Sequence, residues 1–212
     1  MPVNVEERSQ QPLYQRRQYA KSLLGRSYWD YRNKVAASLL EDSDRTIVDL
    51  GCGEGIALEM AASMFPHADV FGVDYLEENI EICSRYGLRA IRGDLYDLEL
   101  PDGSVDAALL QEVIEHLRDP DTAVREVHRI LRPGGKFILV FPNDRTWQFV
   151  WRILLRFREA NYDYGHVRQW TPRSARQFLT ERGFDVYYSR PTPLPIWSIA
   201  LDAVVAGRKR ER

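Results

Sequence analysis

The chain has 212 residues, 44% of them hydrophobic and 28% charged, with a formal net charge of −2. That balance suits a single folded domain able to bury its own core, and it excludes disordered, collagen-like and disulfide-stapled classes. No run of roughly 18 apolar residues occurs, which excludes a transmembrane helix, and MPVNVEERSQQPLYQRR at the start lacks a signal peptide's apolar core.

In chain order, residues 14–40 read as helical, within an N-terminal extension of residues 1–42. RTIVDL (45–50) is a buried strand, and GIALEMAASMF (55–65) has the apolar spacing of a helix that Pro66 stops. A strand at 69–73, a helix at 77–86 closed by Gly87, and strands at 88–92 and 105–110 follow. Pro120 starts a helix over 120–131, which ends before Pro133-Gly134-Gly135, and a strand is expected at 136–141. Strands alternating with helices at this rhythm predict βαβ units and a doubly wound, mostly parallel α/β sheet. After Pro142 the rhythm changes: a helix-like stretch at 147–157, an aromatic loop, a helix begun at Thr171-Pro172, and strands at 184–189 and 202–207.

Such sheets bind ligands beyond the C-terminal ends of their strands, which is where VDLGCGEG (48–55) falls. A dinucleotide loop reads G-x-G-x-x-G, but here the glycines are Gly51, Gly53 and Gly55, and position 56 is Ile56. Asp49 before the loop and Glu54 inside it would repel a pyrophosphate. A cationic or zwitterionic ligand is the expectation, and the acidic middle of the chain agrees: residues 35–144 carry 9 basic and 22 acidic side chains.

The pattern D-x-G-x-G-x-G resembles the first motif of class I S-adenosylmethionine-dependent methyltransferases, in their ubiquinone-biosynthesis-like, type 11 branch. Three further segments match in order: GVDYLEEN at the second strand's end, Gly93-Asp94-Leu95 after the third, and LPDGSVDAALLQEVIEHL (100–117) around the fourth. LRPGGKFIL repeats the family's turn into the fifth strand, so the resemblance covers residues 45–141. It implies a seven-stranded Rossmann-like sheet and S-adenosylmethionine as cofactor. Asp49, Gly51, Cys52, Gly53 and Gly55 would then form the cofactor loop, and Asp74 would accept both ribose hydroxyls. Tyr75 and Leu76 would sandwich the adenine, Asp94 and Leu95 would read its edge, and Gln111 would complete the site.

The acceptor is narrowed by exclusion. The fourth strand ends in Gln111-Glu112-Val113-Ile114, unlike the N-P-P-Y stretch of exocyclic-amine methylation. Cys52 and Cys83 are structural, have no metal-ligand spacing and fit a reducing cytoplasm. Asp144 beside Asn143 is too little for a metal, so none is expected. A hydroxyl, amine, carboxyl or carbon of a small molecule or lipid remains, with His116, Glu112 and His166 as catalytic candidates. His67 and His128 read as surface residues.

Residues 143–170 should form a lid, with Trp147, Val150, Trp151 and Leu154 at helical spacing and Arg145, Arg152 and Arg156 off that stripe. Tyr162, Tyr164, His166 and Trp170 suggest an acceptor pocket in an exposed aromatic loop. Residues 145–212 carry 13 basic and 6 acidic side chains, which points to an anionic acceptor with an apolar body and allows peripheral membrane contact. The arginines are interleaved with apolar residues and form no stripe, which disfavours nucleic acid. Two other readings stand beside this one: a catalytically silent cofactor-binding subunit, and a nicotinamide-dependent oxidoreductase, which Ile56 and Glu54 disfavour.

Overall fold

In the computed structural model, which describes residues 14–21, 23–147, 149 and 165–211, helices α1 (Tyr14–Lys21) and α2 (Leu23–Ala37) precede the sheet. The core then alternates as β1 (Thr46–Leu50), α3 (Ile56–Met64), β2 (Asp69–Asp74), α4 (Glu77–Arg85), β3 (Ala90–Arg92), β4 (Val105–Gln111), α5 (Pro120–Ile130) and β5 (Leu131–Pro142). It closes with α6 (Pro172–Glu181), β6 (Phe184–Thr192), a 3₁₀ turn (Trp197–Ile199) and β7 (Asp202–Lys209). The sheet order is β3-β2-β1-β4-β5-β7-β6. The β1, β2, β3, β4 and β5 pairings are parallel, and only β7, between β5 and β6, runs antiparallel to its neighbours. Strand order therefore reverses between β1 and β4, and the C-terminal ends of those two strands make the crevice.

Period-two alternation in the central strands feeds two cores. Val48, Leu50 and Leu110 enter one cluster, with Phe137, Leu139 and the buried stripe of α5. Ile47, Leu109 and Ile138 point the other way, onto Ala36, Ala37 and Leu40 near the end of α2. The helices start where local chemistry satisfies their free N–H groups. Asp119 accepts from Thr122 N–H at 3.1 Å with Pro120 at the first position of α5, and Thr171 and Ser174 form a reciprocal capping box at α6.

Boundaries differ from the sequence reading where backbone bonds intervene. Leu88 N–H returns to Cys83 O at 3.0 Å, so β3 starts at Ala90 and not at 88. β5 begins at Leu131, because Leu131 already pairs with Val105 while the next partners are Ala107 and Lys136; Pro133-Gly134-Gly135 is looped out of register inside the strand. Trp170 is not an exposed loop aromatic: it is buried edge-on against Phe178, 4.9 Å between centroids, in the core beneath α6. His128 is half-buried, edge-on to Phe184, and so is not a bare surface residue. Residues 144–147 are helical; most of the expected 147–157 helix, and Tyr162 and Tyr164, lie outside the described residues. Among the described residues, no helix is long and apolar enough to cross a membrane.

Candidate active site

The glycine loop leaves β1 and folds back on β2: Gly51 N–H and Cys52 N–H both donate to Val73 O, at 2.7 and 3.1 Å. Gly53 holds φ +54°, a region that favours glycine, and its N–H donates to Asp74 Oδ2 at 2.8 Å. Asp74 is 9% exposed and also accepts from Leu76 N–H at 3.0 Å and Asn79 Nδ2 at 2.9 Å. Leu76 is the N-cap position of α4, and Tyr75 stands exposed beside it. Asp94 is exposed and accepts from Tyr96 N–H at 2.9 Å, with Leu95 packed against the core.

Asp49 is buried, and burial, followed by the neighbouring Asp74 charge, pushes its carboxyl up to about 7 against a hydrogen bond from Gln111. Asp49, Gly51, Cys52, Gln111, Glu112 and Trp29 line one cleft at the switch point. Asp74, Tyr75, Leu76, Asp94 and Leu95 sit beyond that lining, at the ends of β2 and β3. Cys52 contributes its backbone there, since its thiol turns inward toward Gly72 and the α3 side chain Leu58.

Glu54 does something the sequence reading did not expect. Its carboxylate accepts from Gln15 N–H at 3.0 Å and Arg16 N–H at 2.8 Å, satisfying the free amides at the start of α1. The Gln15 carboxamide accepts in turn from Glu54 N–H at 3.1 Å, and its oxygen lies 2.5 Å from where a β-carbon on Gly53 would sit. Glu54 therefore anchors the N-terminal helix over the loop instead of facing a ligand.

At the end of β4, Glu112 adopts φ +56°, an unusual conformation for a side-chain-bearing residue and one that re-aims the chain at the crevice. Burial and then Asp202 push its carboxyl up to about 8, with Arg32 opposing. Arg32 is buried and pairs with Glu112 at 3.4 Å and Asp202 at 3.7 Å. Asp202 also accepts from Tyr28 OH and from Trp147 Nε1 at 3.2 Å. One turn on, His116 and His166 meet edge-on with centroids 4.7 Å apart. His166 Nδ1 lies 2.7 Å from Asp144 Oδ1, and His116 Nδ1 lies 3.4 Å from Gly165 O. Val167 and Arg168 donate their N–H groups to Glu115 O, which docks the segment after residue 165 onto the β4 loop. Burial, then the His166 ring, lowers the His116 pKa.

A methyltransferase-domain family model matches residues 48–139. A probable S-adenosylmethionine-dependent methyltransferase of Mycolicibacterium smegmatis is 34% identical over 164 residues, 76% of this chain and 60% of that protein. Residues 48–139 are thus a methyltransferase domain of the class I S-adenosylmethionine-dependent type. A ubiquinone biosynthesis O-methyltransferase of Pseudomonas paraeruginosa is 28% identical over 162 residues, 73% of this chain and 62% of that one. The chain spans 53% to 62% of the length of such curated relatives. The methyltransferase fold itself recurs in a Thermotoga maritima structure described as a possible histamine N-methyltransferase, with TM-score 0.69, 22% identity and coverage of 92% and 96%.

S-adenosylmethionine is the methyltransferase family's cofactor, and the crevice residues fit it. A sulfonium with an ammonium-bearing tail suits a cleft lined by the buried acid Asp49, although Arg32 lines the same cleft, and among the described residues the buried Gln111 Oε1 has no hydrogen-bond partner. Of the residues singled out in the sequence, the structure brings Asp49, Gly51, Cys52, Gln111 and Glu112 together in one cleft. The sequence reading missed Gln15, Arg32, Asp202 and Glu115. Arg32 left no distinct trace in a helix that also carries Arg26, Asp30 and Lys34, whereas Asp202 left a weak one, opening the apolar run of β7. Gln15 left none.

Proposed function

We propose that the protein transfers a methyl group from S-adenosylmethionine to a hydroxyl, amine, carboxyl or carbon of a small-molecule or lipid acceptor, and that a hydroxyl is the best-supported of these. The cofactor supplies an electrophilic methyl on a sulfonium. The chain's own residues bind and orient it through the glycine loop, Asp49 and Asp74, and alignment with water exclusion carries most of the rate. The observation that carries the hydroxyl reading is the cluster of Asp144, His166 and His116 at the end of β4. A carbon acceptor would have no use for groups that favour a deprotonated oxygen. The relative named as an O-methyltransferase supports the same choice.

The exposed Arg145 and Arg168 flank this cluster in the chain and favour an acceptor that carries an anionic group on an apolar body. A lipid acceptor would bring peripheral membrane contact, while nucleic acid is disfavoured. Two buried free thiols, Cys52 and Cys83, suit a cytoplasmic site of action. The test is release of S-adenosylhomocysteine when the protein meets hydroxylated aromatic acids and anionic lipids. His166→Ala should lower kcat while cofactor affinity stays native, and Arg168→Gln should raise the acceptor's KM more than the cofactor's. Undiminished transfer to carbon acceptors in His166→Ala overturns the hydroxyl reading. Tight cofactor binding with no turnover on any acceptor would favour a silent cofactor-binding subunit.

A further inference from the structure

Glu115 is the most anomalous side chain in the crevice. It is 1% exposed, and neither carboxylate oxygen has a hydrogen-bond partner among the described residues. A buried carboxylate without a partner is costly, and native structures keep one where something else satisfies it. His116 Nε2 lies 3.9 Å from its Oε1. His166 completes the group: Glu115, His116 and His166 each offer one ligand atom, and these atoms lie within 4.8 Å of one another. We propose that Glu115, His116 and His166 form a binding site for a divalent first-row transition metal of the Zn²⁺ type.

Three observations besides proximity bear on this. First, each ring's Nδ1 faces an oxygen acceptor, Asp144 Oδ1 at 2.7 Å for His166 and Gly165 O at 3.4 Å for His116, a placement that favours the tautomer with its lone pair on Nε2. An imidazole whose far nitrogen is held by a carboxylate or carbonyl is the usual outer support of a metal-bound histidine. Second, Glu112, Glu115, Asp144 and Asp202 act on one another electrostatically, while the ion pairs of Arg32 go to Glu112 and Asp202. A cation between Glu115 and the histidines removes that excess. Third, the donor set discriminates. Two imidazoles and one carboxylate suit Zn²⁺, Co²⁺ or Fe²⁺, whereas Mg²⁺ and Ca²⁺ prefer oxygen throughout. Tetrahedral bonds of about 2.0–2.1 Å place ligand atoms roughly 3.4 Å apart, so side-chain rotations of about an ångström close the group.

Three protein ligands leave a coordination position open. On the hydroxyl reading above, on which this one step rests, the acceptor's oxygen takes that position, and the metal lowers its pKa so that its proton leaves to bulk water at neutral pH. The metal-free expectation from Asp144 and Asn143 alone overlooked that residues 115, 116 and 166 converge.

Metal binding is measured without turnover. The protein, stripped with a chelator and titrated with Co²⁺, should take up one ion per chain and develop the visible absorption of a four- or five-coordinate site, and Zn²⁺ should displace it. Glu115→Gln, which removes the charge and keeps the shape, should abolish stoichiometric uptake, as should His116→Gln at its half-exposed position. Asp144→Asn should weaken affinity about 10- to 100-fold. No stoichiometric uptake by the unmodified protein, or equal uptake by Glu115→Gln and His116→Gln, overturns the proposal. Uptake without methylation of any hydroxyl would leave the metal site standing and sink the acceptor reading instead.

Discussion

Asp74 Oδ2 accepts a 2.8 Å hydrogen bond from Gly53 N–H, so one carboxylate at the end of β2 holds the glycine loop in shape. The same side chain caps the entry to α4 through Leu76 and Asn79. A cofactor contact at Asp74, as proposed, would therefore be coupled to the rigidity of the loop.

Asp74→Ala should weaken S-adenosylhomocysteine binding at least tenfold, because hydrogen bonds to a charged group contribute roughly 1.5–3 kcal/mol each. Isothermal calorimetry measures it. Native affinity in this variant would remove Asp74 from the cofactor site.

Gly53→Val should abolish cofactor binding and leave the fold intact. Its φ of +54° strains a β-branched residue, and the new β-carbon would run into the Gln15 carboxamide. Circular dichroism should stay native while calorimetry shows no heat of binding. Retained binding would mean that the loop sits elsewhere.

Asp49 sets a pH dependence. Burial pushes its carboxyl up to about 7, above the 3.8 of an ordinary aspartate, so the folded state holds the proton longer than the unfolded chain does. The contribution to stability is full below about pH 4 and is lost as pH rises through 7, on the order of 4 kcal/mol at most. Urea unfolding at pH 5 and pH 8 should show a smaller loss on alkalinisation for Asp49→Asn than for the unmodified protein. Identical losses would place the proton on another group.

Arg32→Ala should destabilise the protein by about 3–5 kcal/mol, since it strands Glu112 and Asp202 without their guanidinium. The companion change Arg32→Ala with Asp202→Asn should recover part of that loss. A drop under about 1 kcal/mol, the range of exposed ion pairs, would show the group to be solvated.

Short-range patterns carried the cofactor half of this protein. The strand TIVDL, the loop behind it and the β4 segment each hold their signal within a few residues, because hydrophobic period and glycine placement act on neighbouring dihedrals. That is why the parallel βαβ core and the switch-point location were legible before any coordinates, and why Asp49, Gly51, Cys52, Gln111 and Glu112, singled out from those segments, meet in one cleft. The acceptor half depends on contacts that chain closure makes. His116 meets His166 across 50 positions and Arg32 reaches Asp202 across 170, while Trp170, aromatic like its loop neighbours, turns into the core. Gln15 reaches Glu54 because helix α1 needs an anion at its start and the loop offers one. No periodicity encodes such meetings, since each is selected by the packing of β4, β5 and β7 side by side and by the cost of burying a charge without its partner.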